Sequence, residues 1–353
     1  MIGYLKLFKR IFAFKKHLYI NIAFKQNIMK IDLKTRRILT ELDLDGRMPI
    51  TELSKKASIS RQVAEYRINQ MKKEGLVLGT IPIFDSVVVG QNWYRILLRL
   101  LKATKEQKNE FISYLKNHSN ISWVGEVGGN WDMVLNFICR DHFQFNQIFE
   151  EMASKFGSCI RDYEILIYID VHDLQRRYIL PTPEKHKELY HEMKFNPNFS
   201  FDKLNKNIVR ELNIDASRSN LEIGQKLGVS GNTIKNRINE MTTAKLILGF
   251  RLWLSPQLLG YKSQMLFLGI NRLDIKREKL LYSYLKQIPN VVFLVKHIGR
   301  WRIGLEIETK DDREFQEIFV DIRGKFSDII TEFESFPLLK DHLVNYFPEG
   351  CLE

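Results

Sequence analysis

The chain writes one long segment twice. Residues 32–79 and 202–249 align without a gap at a constant offset of 170 residues. Asp32, Ile38, Leu42, Ser60, Arg67, Ile68, Asn69, Met71, Leu78 and Gly79 return as Asp202, Ile208, Leu212, Ser230, Arg237, Ile238, Asn239, Met241, Leu248 and Gly249. A fixed offset over such a span marks a duplicated structural unit, so a fold assigned to one half must also serve the other. At 353 residues, each half is long enough to bury cores of its own.

Each copy opens with the pattern of three helices. Leu33, Ile38, Leu39 and Leu42 set an apolar stripe at helical spacing behind Asp32, a favourable N-cap. A shorter helix around Ile50 to Ala57 leads into a four-residue joint, Ala57-Ser58-Ile59-Ser60 in one copy and Leu227-Gly228-Val229-Ser230 in the other. Glycine takes a positive φ there without steric cost, and the closing serine caps the next helix. The third helix places Ala64, Ile68 and Met71 inward and Arg61, Gln62, Glu65, Tyr66 and Asn69 outward. Helix, tight turn and helix with a polar outer face is a geometry that fits a DNA major groove. Gly75 to Ile81 is β-prone and glycine-bracketed, which predicts a small hairpin wing.

A second module follows. Ile81 to Val89 reads as a strand-like connection ending at Gly90, whose repeat partner is Gly260. The pattern then predicts a strand from Trp93 to Ala103, a helix from Lys105 to Lys116, and strands Ile121 to Val127 and Trp131 to Cys139 joined at Gly128-Gly129-Asn130. A helix burying Phe145, Ile148, Phe149, Met152 and Phe156 and a strand from Cys159 to Val171 complete the ferredoxin-like order βαββαβ. The repeat continues here, with Gly129 and Trp131 matched by Gly299 and Trp301. The expected fold class is therefore α+β: two tandem copies of a winged helix-turn-helix followed by a ferredoxin-like βαββαβ sandwich. The expected readers occupy 30–84 and 200–254, and the sandwiches 90–180 and 260–347. Between the halves, 181–199 reads as a linker in which Lys185 to Lys194 forms a short charged helix between proline breaks.

A net charge of +12 favours a polyanionic partner. Three cysteines, far apart and odd in number, argue against a disulfide framework and fit a reducing cytoplasm. No run reaches the ~18 apolar residues of a membrane helix, so stable membrane insertion is not expected. The sequence has no glycine-rich nucleotide loop, nucleophile elbow or metal-ligand spacing, so neither catalytic residues nor a cofactor is expected. Residues 1–29 are basic, with lysines and arginines breaking the apolar stretches, so a cleaved signal peptide is not expected. They read as a start-site artefact, a helix packed on the body, or a basic surface anchor.

In order along the chain, DLKTRRILTEL, DGR, ELSKKASISR, RINQM and EGLVLG resemble the winged helix-turn-helix of the leucine-responsive/asparagine-synthetase (Lrp/AsnC) regulators of archaea and bacteria. The second copy has Ala216-Ser217 where the first has Gly46-Arg47. The resemblance implies sequence-specific binding of double-stranded DNA. It makes the sandwiches effector (RAM-type) and oligomerisation domains, self-associating as an intramolecular pseudo-dimer or a homo-oligomer. The expected DNA-contacting residues are Ser60, Arg61, Gln62, Tyr66, Arg67 and Asn69, and in the second copy Ser230, Asn232, Thr233, Lys235, Asn236, Arg237 and Asn239. Arg67 and Arg237 suit either a phosphate or a carboxylate of the first helix. Because the outer faces differ, a non-palindromic operator is expected, read by helices about one helical turn (~34 Å) apart.

The family's Gly-x-x-Asp turn falls at Gly129-Asn130-Trp131-Asp132, so Gly129, Asn130 and Asp132 are the expected contacts for an amino-acid effector. The same residues also suit a tight hairpin whose aspartate caps its own turn. The second copy reads Gly299-Arg300-Trp301-Arg302, with its charge reversed, and is not expected to bind that effector. Two other functions fit parts of the pattern. One is a non-specific architectural DNA-binding protein. The other is an enzyme like the sirohaem decarboxylases, which resemble this family in fold. Against the enzyme, His118, His142, His172, His297 and His342 are scattered, with no His/Arg motif.

Overall fold

The computed structural model describes residues 28–101, 103–181, 187–270 and 274–353; the readings for 1–27 and for 182–186 lie outside them. The first reader comprises α1 (Leu33–Leu42), α2 (Ile50–Lys56), α3 (Arg61–Lys73) and β1 (Val77–Phe84). In the second reader, α6 (Lys203–Ile214), α7 (Asn220–Leu227), α8 (Gly231–Thr243) and β7 (Ile247–Leu254) follow the same order. Asp32 and Asp202 cap α1 and α6, accepting from Thr35 N at 2.9 Å and Asn205 N at 2.8 Å. The buried face of α1 is Thr35, Ile38, Leu39 and Leu42, while Leu33, half a turn out of phase with Leu42, is 54% exposed. At the joint before α3, Ser58 adopts φ 56° where the second copy has Gly228 at φ 70°.

The expected hairpin wing does not form. Each copy supplies a single strand, and β1 pairs antiparallel with β7, from Val77 opposite Leu254 to Phe84 opposite Ile247. The return strand is missing because the chain after Phe84 turns into a 3₁₀ segment, Ser86–Val89, capped by Asp85 and pinned by the Trp93 indole donating to Ser86 Oγ at 2.7 Å. The edge that this leaves on each wing is satisfied by the other copy.

The first sandwich contains β2 (Asn92–Leu100), α4 (Lys105–Asn117), β3 (Ile121–Val127), β4 (Met133–Cys139), α5 (His142–Phe156) and β5 (Ile160–Leu174). The second contains β8 (Lys262–Ile270), α9 (Ile275–Leu285), β9 (Val291–Ile298), β10 (Ile303–Thr309), α10 (Asp312–Phe326) and β11 (Ile330–Val344). The predicted strands at Trp93 and Trp131 shift slightly, because residues 128–132 form the turn before β4. The long last strands join the two sheets: β11 continues from β8 onto β3, and β5 from β2 onto β9. The result is a closed ring, β2-β4-β3-β11-β8-β10-β9-β5 and back to β2. Outward-facing residues pack under the helices in two cores, around Phe111 and Phe137 and around Phe315 and Leu305. Inward-facing residues line a shared interior.

Over the described part of the predicted Lys185–Lys194 helix, residues 187–194, no helix forms. Glu188–His191 is a strand, β6, paired with the end of β5, and it alternates as a strand must: His191 is fully buried while Glu188 and Tyr190 meet His172 on the other face. The readers are interlocked with the body. The first reader's core merges with Leu252, Leu254 and Tyr261 of the second half. The second reader's core merges with Phe84, Val88 and Trp93 of the first half and with Phe347 and Leu352 near the C-terminus.

Candidate nucleic-acid interface and barrel interior

On α3, Arg61, Gln62, Tyr66 and Asn69 are exposed; on α8, Asn232, Lys235, Asn236 and Asn239 are exposed and Thr233 is half-buried. Ser60 and Ser230 are the N-caps, accepting from Val63 N at 3.3 Å and Thr233 N at 3.0 Å. Arg61 is folded onto Glu65, with Nε to Oε1 at 2.8 Å. Arg67 and Arg237 are both held by the cap of the first helix. Arg67 forks onto both Asp32 oxygens at 2.7 and 2.8 Å, and Arg237 reaches Asp202 at 3.0 Å. The Thr35 amide and then Arg67 hold the Asp32 carboxyl down at about 2.

The readers touch each other asymmetrically, through residues that the copies do not share. Gly46 N donates to Phe250 O at 2.6 Å, and a Cβ at Gly46 would lie 2.8 Å from Thr80 Cγ2 and 3.2 Å from Phe250 O. Arg47 donates to Arg218 O at 2.8 Å and Asn220 Oδ1 at 3.1 Å, over the Phe250 ring at 4.8 Å. These contacts account for Gly46-Arg47 in one copy against Ala216-Ser217 in the other: two unlike surfaces must fit one another.

At the turn considered for an effector, Gly129 has φ 84° and Asp132 Oδ2 accepts from Leu100 N, at the end of β2, at 2.7 Å, a bond to the neighbouring strand and not a cap on its own turn. Asn130 Nδ2 and the Trp131 indole both donate to Glu334, at 2.9 and 3.0 Å. In the second copy Arg300 pairs with Glu332 at 3.0 Å and Arg302 with Glu278 at 3.3 Å.

The barrel interior holds charged groups that the sequence reading missed. Arg176 donates from Nη1 to Asp43 at 2.8 Å and from Nε to Glu308 at 2.9 Å, and the Tyr178 hydroxyl also donates to Glu308. Arg251 donates to Asp173 at 2.9 Å, and Asp173 also meets His191 at 3.1 Å. This network ties the end of α1, the wing and both sandwiches. Arg95 is 2% exposed; its Nε donates to Asn136 Oδ1 at 3.0 Å, and its guanidinium lies 5.0 Å over the Tyr168 ring. Beside it His297 is fully buried, with no hydrogen-bond partner for either ring nitrogen among the described residues, and a Cβ at Gly304 would lie 2.8 Å from its Cε1 and 3.6 Å from Arg95 Nη1. Burial first, then the Arg95 charge, keeps His297 well below the usual imidazole range and therefore neutral at pH 7. The available signal was a charge at an inward position of an otherwise apolar strand, as in Trp93-Tyr94-Arg95-Ile96-Leu97. Among the described residues no group of three or more His, Cys, Asp or Glu could hold a metal ion, and no helix is long and apolar enough to cross a membrane.

Comparison with known proteins bears on both modules. Residues 31–77 match a winged helix-turn-helix DNA-binding family and residues 201–242 the AsnC-type helix-turn-helix domain. The chain is 33% identical over 100 residues to the HTH-type transcriptional regulator Ptr1 of Methanocaldococcus jannaschii, spanning 28% of this chain and 66% of that protein. It is 24% identical over 137 residues to the HTH-type transcriptional regulator FL11 of Pyrococcus furiosus, covering 39% of this chain and 88% of FL11. Along nearly its full length the fold is similar to the crystal structure of the siroheme decarboxylase NirDL, with TM-score 0.58, 13% identity, and coverage of 90% of this chain and 96% of that one. At that identity the likeness concerns the fold alone. With both helix-turn-helix segments matched, one of them as AsnC-type, and the sequence relatives named as HTH-type transcriptional regulators, the two readers are winged helix-turn-helix units similar to those of the Lrp/AsnC regulators.

Proposed function

We propose that the protein is a sequence-specific transcription regulator whose two readers act on DNA as one asymmetric unit. The observation that carries this reading is the pair of exposed polar helix faces, on α3 and α8, set in helix-turn-helix frames and fastened to each other through the β1–β7 sheet. The outer faces differ, Gln62 and Tyr66 standing where the second copy has Asn232 and Asn236, so the half-sites read by each are unlike. In this reading Arg67 and Arg237 orient their recognition helices by holding the cap carboxylates, and base and phosphate contacts fall to the exposed residues around them. Both sandwiches are consumed in the intramolecular barrel, which makes the single chain the counterpart of a dimer. A decarboxylase reading rests on shared fold alone.

The test is titration of a labelled fragment from the protein's own promoter, with and without excess random DNA, across a salt series. Specific binding that survives competition, with a salt slope of several phosphate contacts, supports the regulator. Binding abolished by random DNA leaves the architectural reading, and footprinting of a perfect inverted repeat, equally protected on both arms, refutes the asymmetric one.

A further inference from the structure

The chain enters its two readers differently. In the first copy Met29 N donates to Leu258 O at 2.7 Å, and the cap Asp32 follows three residues later. The matching anchor in the other half is Val88 O, at the repeat offset from Leu258, but it accepts from Asn196 N at 3.0 Å, six residues ahead of the cap Asp202. Phe199, the repeat partner of Met29, instead donates back to Asn196 O at 3.2 Å. Three extra residues are thus folded into a turn. Asn198 N tightens it by donating to Asn196 Oδ1 at 3.1 Å, and Phe199 pins it against the second reader's core.

That turn lies against the recognition helix. Asn196 and Asn198 share an open recess with Asn236, Asn239 and Thr243 of α8. Asn198, Asn236 and Asn239 are exposed, and among the described residues nothing hydrogen-bonds to their side chains. Glu240, also in the recess, is paired with Arg237 at 3.5 Å. The recess flanks the C-terminal half of α8, whereas the N-terminal residues of such a helix meet the base edges. A helix is about 10–12 Å across and the major groove about 12 Å wide, so α8 fills the groove, and whatever is packed along its flank lies over the sugar-phosphate wall.

The copies differ at this flank in a complementary way. The last turn of α3 carries Lys72 and Lys73, both exposed, where α8 has Thr242 and Thr243. The first reader holds two cations ready for phosphates there. The second has none in that turn, and has the asparagine turn beside it.

We propose that the turn 196–199 is a further DNA-contacting element serving the second reader, with the Asn198 side-chain amide donating to a backbone phosphate beside the half-site that α8 enters. A neutral amide meets a phosphate without releasing a counter-ion, so this contact adds affinity and no salt dependence, whereas the lysines of the first reader add both. The proposal rests on DNA binding by the readers and not on their sequence specificity.

The test titrates the full-length chain and two variants against the labelled promoter fragment and against random DNA across a salt series, and maps the contacted phosphates by ethylation interference. Asn198→Ala should bind roughly three- to tenfold more weakly at every salt concentration, with an unchanged slope and with interference lost at a phosphate beside one half-site only. Asn198→Lys should steepen the salt slope by about one, as a cation placed on a phosphate does. Both substitutions fall on an exposed side chain, and unfolding midpoints equal to the wild type's show that the fold is intact. Wild-type affinity, slope and interference in both variants overturn the contact while DNA binding stands. So does weaker binding by Asn198→Ala that comes with a lowered midpoint, if Asn198→Lys leaves the slope unchanged, because the turn is then only a support for α8. No binding of either DNA by the wild type removes the regulator reading and this contact with it.

Discussion

Replacing Arg176 with methionine probes the network that fastens the first reader to the second sandwich. The guanidinium and backbone of Arg176 make five of the bonds that hold Asp43 and Glu308, at 2.6 to 3.3 Å, and both carboxylates are 1% exposed. Removing one partner of a buried pair costs about 3–5 kcal/mol, because the remaining charge has neither water nor a counter-ion. Here Glu308 keeps the Tyr178 hydroxyl and Asp43 keeps Arg251 at 3.7 Å, which places the expected loss near the low end, about 3 kcal/mol. In a Glu308→Gln background one of the two stranded charges is already gone, so the same substitution should cost about 1–2 kcal/mol less. Urea unfolding followed by far-ultraviolet circular dichroism, with all four proteins at pH 7, gives both numbers from the midpoints and slopes. A loss under about 1 kcal/mol, or an equal cost in both backgrounds, would mean that the network does not carry the junction.

Other outcomes follow from single contacts. Gln62→Ala should weaken promoter binding by about 1–3 kcal/mol in a sequence-dependent way, while Lys235→Ala should lower the salt slope by about one; gel-shift titrations separate the two patterns, and a uniform effect of both would count against base reading by α3. Ser58→Gly should stabilise the first reader by roughly 0.5–1 kcal/mol, since serine at φ 56° is strained where glycine is not, and an unchanged or lower unfolding midpoint would contradict this. Glu306 is pushed up to about 7 by burial, then by the charges of Glu308 and Asp341, against the pull of Arg176 and a bond from Ser263. A raised carboxyl keeps its proton in the folded state after the unfolded chain has lost it, so stability from this group is fullest below the ordinary glutamate value of 4.5 and falls as pH rises towards 7. Glu306→Gln should therefore gain on the wild type between pH 4.5 and 7, by on the order of 2 kcal/mol, and a gap that stays flat across that window refutes the assignment.

What could be read from the sequence was whatever the repeat and the local pattern specify. Caps at Asp32 and Ser60, the inward Ala64 and Met71, and the βαββαβ order rest on neighbours a few residues away. The wing was misread because a single strand and half a hairpin have the same sequence; the partner lies 170 residues on, and only tertiary packing chooses it. Glu188–His191 was misread because lysines and glutamates on both sides suggested a solvated helix, whereas His191 is drawn inward to Asp173. The interior charges were passed over for a related reason. Arg95 and Glu306 lie on different halves of the chain, and neither spacing nor motif places them in one cavity. Their departure from the repeat, to Met265 and Asn136, was the trace available.

The β1–β7 sheet has a consequence for the target as well as for the protein. Two readers on separate tethers can slide apart to suit operators of different spacing; two readers that share a ladder from Val77 to Phe84 cannot. Their separation is a gauge set by strand register, and a slip of even one residue would turn every side chain of the wing to the opposite face. Inserting about five base pairs between the arms of a cognate site rotates one arm to the far side of the duplex, and restoring about ten returns it. With a gauge that cannot stretch, the first insertion forces the DNA to bend or one helix to let go, and the second still asks for a reach that the ladder does not allow.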